Sequence, residues 1–223
     1  DNGLINGKKI AVPDAKIATH VIVVAKTNSG ISLRLVDTSS SGVTIKHQKN
    51  IDESRGHFQI DFDNVEGSLI GDEISGWEQY ESIINQAAVL FSYEQIGGAQ
   101  ASLDMAIDYA KERYAFGRPI GSFQAIKHKL ADMYVSLTLA KSNCYYAWAL
   151  STNSSDLPSA SATARVSSTK AFQLCSKENI QTHGGNGFTW EYDCHLFYRR
   201  SKLLSLNIGS MSNWKEKLVT NLE

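Results

Sequence analysis

The stretch Gln181-Thr182-His183-Gly184-Gly185-Asn186-Gly187-Phe188-Thr189-Trp190-Glu191 decides how this chain is read. Three glycines in four positions, closing a long helical pattern, allow a tight turn and close approach of another group. No side chain shields the backbone at Gly184 and Gly185, so N–H groups there can face an oxygen-rich ligand such as a phosphate. An ordinary glycine-rich helix stop explains the same residues. A second block lies upstream, Arg113-Tyr114-Ala115-Phe116-Gly117-Arg118-Pro119-Ile120-Gly121-Ser122-Phe123-Gln124, running on to Met133. Arg113 ends a helical pattern, where the macrodipole favours a cation. A guanidinium there can also grip two phosphate oxygens at once.

Working outward, Tyr80, Ile83, Ile84, Ala87, Ala88, Phe91, Ile96, Ala99, Leu103, Ile107 and Ala110 recur at steps of three and four. They predict one long amphipathic helix from residue 76 to about Arg113. Gly97-Gly98 inside it costs roughly 1 kcal/mol per glycine relative to alanine, which a close helix or ligand approach would explain. Ser122 can cap a second helix, with Phe123, Ile126, Leu130, Met133, Leu137 and Ala140 on its apolar stripe, ending near Leu150. Residues 151–158 read as a solvated connection. A third helix, rich in Ala and Ser, runs to about His183. A short one spans Asp193 to Leu206, and a last one starts near Asn213. Residues 76–223 therefore read as an up-and-down helical bundle.

Residues 1–75 have a different texture. Asn6-Gly7 is a turn signal between two short apolar pieces. His20 to Ala25 is a β-branched run that reads as a buried strand. Ile31 to Val36 alternates in part, Val43-Thr44-Ile45 begins another strand, and Phe58-Gln59-Ile60-Asp61-Phe62 alternates cleanly. Such spacing predicts a small antiparallel sheet or part of a barrel, with the domain boundary near residue 75.

Composition narrows the function classes. The 223 residues are 42% hydrophobic and 20% charged, as in a globular chain, with a formal net charge of −1. That charge gives no reason to expect nucleic acid or an anionic membrane as partner. Cys144, Cys175 and Cys194 are widely spaced, which is neither a disulfide framework nor a metal site and suits a reducing cytosol. The start at Asp1 has no basic and apolar regions of a signal peptide, and no apolar run approaches the ~18 residues of a membrane span.

In order and spacing, the Arg113 and Gln181 blocks together resemble the acyl-CoA dehydrogenase family of FAD-dependent flavoproteins. The resemblance implies an α+β fold: a partial antiparallel β-domain, residues 1–75, then a four-helix-bundle domain, residues 76–223. The family's N-terminal helical domain and first β-strand have no counterpart, so the chain is expected to be a fragment or a short subunit that depends on others. By the same resemblance, Arg113 binds the FAD pyrophosphate of a neighbouring subunit. Phe116 packs on the flavin nucleotide, Gln124 hydrogen-bonds it, and Gln181, Gly184 and Gly185 contact it. His128, Glu191, His195, Arg199 and Lys202 stand in matching blocks and read as structural.

The family desaturates acyl-CoA thioesters in fatty acid metabolism: a glutamate removes the α-proton while the flavin takes a hydride from the β-carbon. At one usual position of that glutamate this chain has Ile208, and at the other Ala87; neither can accept a proton. Glu94, two helical turns beyond Ala87 in an apolar stretch, is the remaining candidate, since burial would suit it to a base. Ala11 and Pro13 align where the family often has a tryptophan and a threonine against the flavin ring. Three readings remain open. The chain is an FAD-binding subunit whose partner supplies catalysis, an active dehydrogenase using Glu94, or a non-enzymatic assembly module. The implied partners are acyl-CoA, a homo- or hetero-oligomer (dimer or tetramer) and an electron-transfer flavoprotein.

Overall fold

The computed structural model describes residues 3–151 and 154–221, so Thr152 and Asn153 of the polar connection lie outside it. The chain divides into two units, Asp1–Ile83 and Ile84–Glu223.

The first unit contains β1 (Leu4–Pro13), β2 (His20–Lys26), β3 (Ile31–Asp37), β4 (Val43–Gln48), β5 (His57–Glu66) and β6 (Ser68–Ile70). They form two three-stranded antiparallel sheets, in the orders β1-β5-β4 and β2-β3-β6. The alternation of β5 decides its register: Phe58, Ile60 and Phe62 all point into an apolar cluster with Ile5, Val23, Val36 and Val65, drawn from both sheets.

Two local expectations are corrected here. Asn6-Gly7 is not a turn; β1 runs through it, and the register against β5 shifts between Ile5 and Gly7 and again between Lys9 and Val12. Gly7, at φ +139°, and Asn6, whose amide meets Asn64, absorb the first irregularity as a bulge. The run His20 to Ala25 is a strand, but of its residues only Val23 is buried in the chain, because β2 presents one face to the cluster and leaves Ile22 outside.

In the second unit the helices are α1 (Gly76–Glu112), whose first turns belong to the β-unit, α2 (Gln124–Ala149), α3 (Leu157–His183), α4 (Cys194–Leu204) and α5 (Met211–Thr220). A short hairpin, β7 (Tyr114–Ala115) and β8 (Arg118–Pro119), joins α1 to α2. The central element is α3. Its small side chains, among them Ala160, Ala162, Ala164, Ser168 and Ala171, are buried, so helices can approach it on several sides. Leu103, Met133, Leu137, Phe172 and Leu204 fill the main core.

The Gly97-Gly98 pair is resolved by the same packing. A Cβ on Gly98 would meet the Phe172 ring at 2.4 Å, whereas one on Gly97 would meet nothing within 4 Å. Ser122 does not cap α2. It lies in a 3-10 turn, its hydroxyl donates to the Pro119 carbonyl at 2.7 Å, and Phe123 occupies the N-cap without a side-chain bond. Ser210 caps α5, accepting from the Asn213 N–H.

Candidate functional site

The last turn of α1 carries Tyr109, and Arg113 follows directly after the helix, its N–H donating to the Tyr109 carbonyl at 2.8 Å, so the two lie on one side of the helix end. The end of α3 carries His183 and the glycine turn. Aromatic packing ties the two ends together. The rings of Tyr109 and His183 stack with centroids 4.0 Å apart and planes at 25°, and Tyr192 meets both edge-on. Asn186, inside the glycine turn, donates from Nδ2 to the Tyr109 hydroxyl at 3.0 Å. These contacts enclose a cleft of about 280 Å³ walled by Tyr109, Arg113, Thr182, His183, Gly184 and Gly185.

So Arg113, Gly184 and Gly185, far apart in sequence, come together. Arg113 is exposed, and its carbonyl accepts the Ile120 N–H at 2.8 Å, which closes the foot of the hairpin. Phe116, Gln124 and Gln181 are exposed and lie outside the wall of the cleft. Phe116 and Gly117 form the two-residue hairpin loop with φ of +54° and +76°, as a type I′ turn requires. Asparagine or glycine favours that position; here it holds a phenylalanine that is 95% exposed and touches Phe123 edge-on.

The glycine turn departs from expectation in one respect. The Gly184 N–H does not face outward; it donates to the carbonyls of Ile180 and Gln181 and closes α3 at φ +61°. The cleft thus adjoins a helix C-terminus, whose partial negative charge opposes an anion. The full charge of Arg113 outweighs that half-charge. What the glycines contribute is room: a Cβ at Gly184 or Gly185 would meet nothing within 4 Å. By contrast, Gly187 is enforced by packing, since its Cβ would meet the Ile180 carbonyl oxygen at 2.7 Å.

His183, Tyr109 and Asn186 escaped the reading of the sequence. The usable signal was positional: Tyr109 precedes Arg113 by one turn, and His183 and Asn186 flank the glycines. His183 Nδ1 lies 2.9 Å from the Asn179 carbonyl oxygen, which can only accept, so Nδ1 carries the proton. Burial holds the imidazole pKa below its ordinary 6.5, which keeps the ring neutral with Nε2 as an acceptor. Of the other histidines considered, His128 is exposed, and His195 donates to the Tyr192 carbonyl while packing edge-on against Trp190.

The expected burial of Glu94 is corrected. It faces outward on α1, and its carboxylate takes a hydrogen bond from Arg200 Nη1 at 2.7 Å. The apolar neighbours that suggested burial, such as Ile96, occupy the opposite face. Ile208 packs against the cluster of Ala88, Ala162 and Trp214, and its carbonyl accepts from the Trp214 indole N–H at 3.2 Å. Ala87 is half-buried. In the β-unit, Ala11 and Pro13 are exposed on β1; the Ala11 N–H donates to Gln48 Oε1 at 2.8 Å.

A family model, acyl-CoA dehydrogenase, C-terminal domain, matches residues 75–211. The chain belongs to the acyl-CoA dehydrogenase family. It is 44% identical over 119 residues to acyl-CoA dehydrogenase IpdE2 of Mycobacterium tuberculosis, covering 53% of this chain and 36% of that protein. It is 32% identical over 221 residues to the probable acyl-CoA dehydrogenase YngJ of Bacillus subtilis, covering 94% of this chain and 58% of the other. The solved butyryl-CoA dehydrogenase of Megasphaera elsdenii superimposes on 100% of this chain and 61% of its own, with a TM-score of 0.94 at 23% identity, a likeness of fold. The chain spans little more than half the length of the relatives that match it along most of its course. Members of the acyl-CoA dehydrogenase family are FAD-dependent. The cleft suits one end of such a nucleotide: the exposed Arg113 guanidinium, without a side-chain partner among the described residues, stands beside the open space over Gly184 and Gly185. Its volume is near the lower bound of about 300 Å³ for small-molecule sites, so it would hold part of a dinucleotide. Among the described residues no three of His, Cys, Asp and Glu are grouped to hold a metal, and no helix is long and apolar enough to cross a membrane.

Proposed function

We propose that the chain binds FAD as part of a flavoprotein that desaturates an acyl-CoA thioester between Cα and Cβ. The observation that carries this reading is the meeting of Arg113, Gly184 and Gly185 in one cleft. Arg113 would pair with two pyrophosphate oxygens, and the gap over the glycines would admit the nucleotide. Phe116 would cover the nucleotide from the hairpin tip, with Gln124 and Gln181 hydrogen-bonding at its margin. Bound FAD would accept the hydride that leaves Cβ.

The proton leaving Cα needs a base, and this chain is poorly equipped to supply one. Ile208 and Ala87 have no lone pair to offer, and Glu94 would have to leave Arg200 first. A base from a partner subunit therefore completes the reading, in a homo- or hetero-oligomer that passes its electrons to an electron-transfer flavoprotein. One alternative has specific support. Ala11 cannot stack on a flavin ring and Pro13 offers it no donor, which favours an assembly module without flavin chemistry.

The visible absorption spectrum of the gently purified protein, with co-purifying chains retained, separates the two. A flavin spectrum that falls about tenfold or more in Arg113→Gln, the loss expected for a charge-assisted hydrogen-bond pair, supports the proposal. Absence of flavin after FAD is added to every assembled form would overturn it in favour of the module.

A further inference from the structure

A buried guanidinium lies away from the cleft. Arg165, in the N-terminal half of α3, is 1% exposed. Its Nη1 donates to Gln95 Oε1 at 2.7 Å; its Nη2 donates to the carbonyls of Leu204 and Asn207, the latter at 2.8 Å. Gln95 is fixed in turn. Its Nε2 donates to Thr169 Oγ1 at 3.0 Å, and Ser168 Oγ donates to Oε1 at 2.8 Å, so the amide oxygen faces the arginine. All three of these acceptors are neutral, and the Glu94 carboxylate is the charge whose field favours the guanidinium.

Burying such a group is costly, and an apolar side chain of similar volume would fill the space at lower cost. Burial lowers the guanidinium pKa to about 10, which still leaves it charged at neutral pH. What the charge obtains is geometry. Leu204 is the last residue of α4, where carbonyls lack partners within the helix. Asn207 stands in the turn that follows. The next residues are Ile208 at φ +53° and Gly209 at φ +111°, and then Ser210 caps α5. Ile208 is β-branched, so a left-handed conformation is strained for it and must be imposed by its surroundings. One side chain of α3 therefore ties the end of α4, at the Leu204 carbonyl, to the turn three residues further on, at the Asn207 carbonyl.

We infer that Arg165 is a positioning residue: by gripping the carbonyls of Leu204 and Asn207 it fixes the path of the turn that carries position 208. The bearing of this on catalysis rests on the dehydrogenase reading, because 208 is one of the two positions to which the family resemblance assigns the proton-abstracting glutamate. The geometry of the clamp does not depend on that reading. The turn stays in place although the residue it presents here is inert.

Hydrogen exchange followed by mass spectrometry tests this on the purified protein, with co-purifying chains retained, for the parent, Arg165→Met and Arg165→Lys. Methionine keeps much of the stem and removes every donor; lysine keeps the charge and a head that reaches a carbonyl. In Arg165→Met, amides of residues 204–214 should exchange about tenfold or more faster, as loss of a charge-assisted hydrogen bond gives, while those of α2 keep their rates. The Trp214 indole N–H, which donates to Ile208, should shift in the same variant. Lysine should restore part of the protection. Equal acceleration of α2 and the turn, or an unchanged turn in a folded Arg165→Met, overturns the inference. Should the methionine variant not fold, Arg165→Lys decides alone: it must loosen 204–214 selectively, and uniform exchange sinks the idea. Visible absorbance of the same samples keeps the two readings apart. Selective loosening without flavin in any sample leaves the clamp standing and removes the dehydrogenase reading; flavin with uniform exchange does the reverse.

Discussion

Gly97 and Gly98 are neighbours on α1, yet alanine should act on them in opposite directions. Both substitutions remove about 1 kcal/mol of helix-propensity cost. At Gly97 nothing opposes that gain, because the new Cβ meets nothing within 4 Å. At Gly98 the Cβ would lie 2.4 Å from Phe172 Cζ and 2.8 and 2.9 Å from the two adjacent ring carbons. Phe172 is 0% exposed, so its ring has no free volume to move into. Overpacking of that kind costs about 1–3 kcal/mol, which leaves Gly98→Ala between neutral and about 2 kcal/mol destabilising. The two variants should therefore differ by about 1–3 kcal/mol, or several degrees in midpoint, with Gly97→Ala the more stable. Parallel thermal and urea melts of both, with helical circular dichroism as the probe, measure the difference. Shortening the ring, in Gly98→Ala with Phe172→Leu, should recover part of the loss. Equal stabilisation by both single substitutions would refute the claim that close approach of α3 explains the glycine pair.

Two other outcomes follow from the site. Phe116→Asn should raise stability by about 1 kcal/mol, because asparagine tolerates the positive φ that strains phenylalanine, while weakening flavin retention; a variant that gains stability and keeps its flavin would remove Phe116 from the nucleotide site. His183 should give the protein an acid-sensitive step. Its pKa in the fold is below the 6.5 of the free side chain, so the unfolded state binds the proton more readily; its contribution is present above about pH 6.5 and is lost as pH falls through the lower folded value. Melting the parent and His183→Phe between about pH 7.5 and 5 checks this, and a parent whose midpoint falls no faster than the variant's would contradict it.

Periodicity alone laid out the long helices. The steps of three and four in residues 80–110 and 123–140 are dictated by a helix repeat and survive any tertiary arrangement, and so do the alternating residues of β5. The Arg113 and Gln181 blocks, taken together in order, made the family legible. Local signals that several structures can satisfy were less reliable. Asn6-Gly7 reads as a turn, but ladder pairing with β5 turned it into a bulge; Ser122 reads as a cap, but its hydroxyl found the Pro119 carbonyl first. Burial of a single charged residue was beyond the sequence as well. Glu94 sits among apolar neighbours in the chain and faces outward in the fold, whereas Arg165, in a stretch of alanines and serines, is enclosed.

The sequence by itself determined the long helices, the alternating strands, their order and the kinship, because these depend on spacing along one chain. Only the tertiary structure decided that Tyr109 stacks on His183 and so draws Arg113 to the glycines, that the Gly184 N–H is committed to α3, and that Arg165 holds the turn at residue 208. Each of those depends on which side chains from distant segments compete for the same space and the same hydrogen-bonding atoms, and no one-dimensional pattern records that competition.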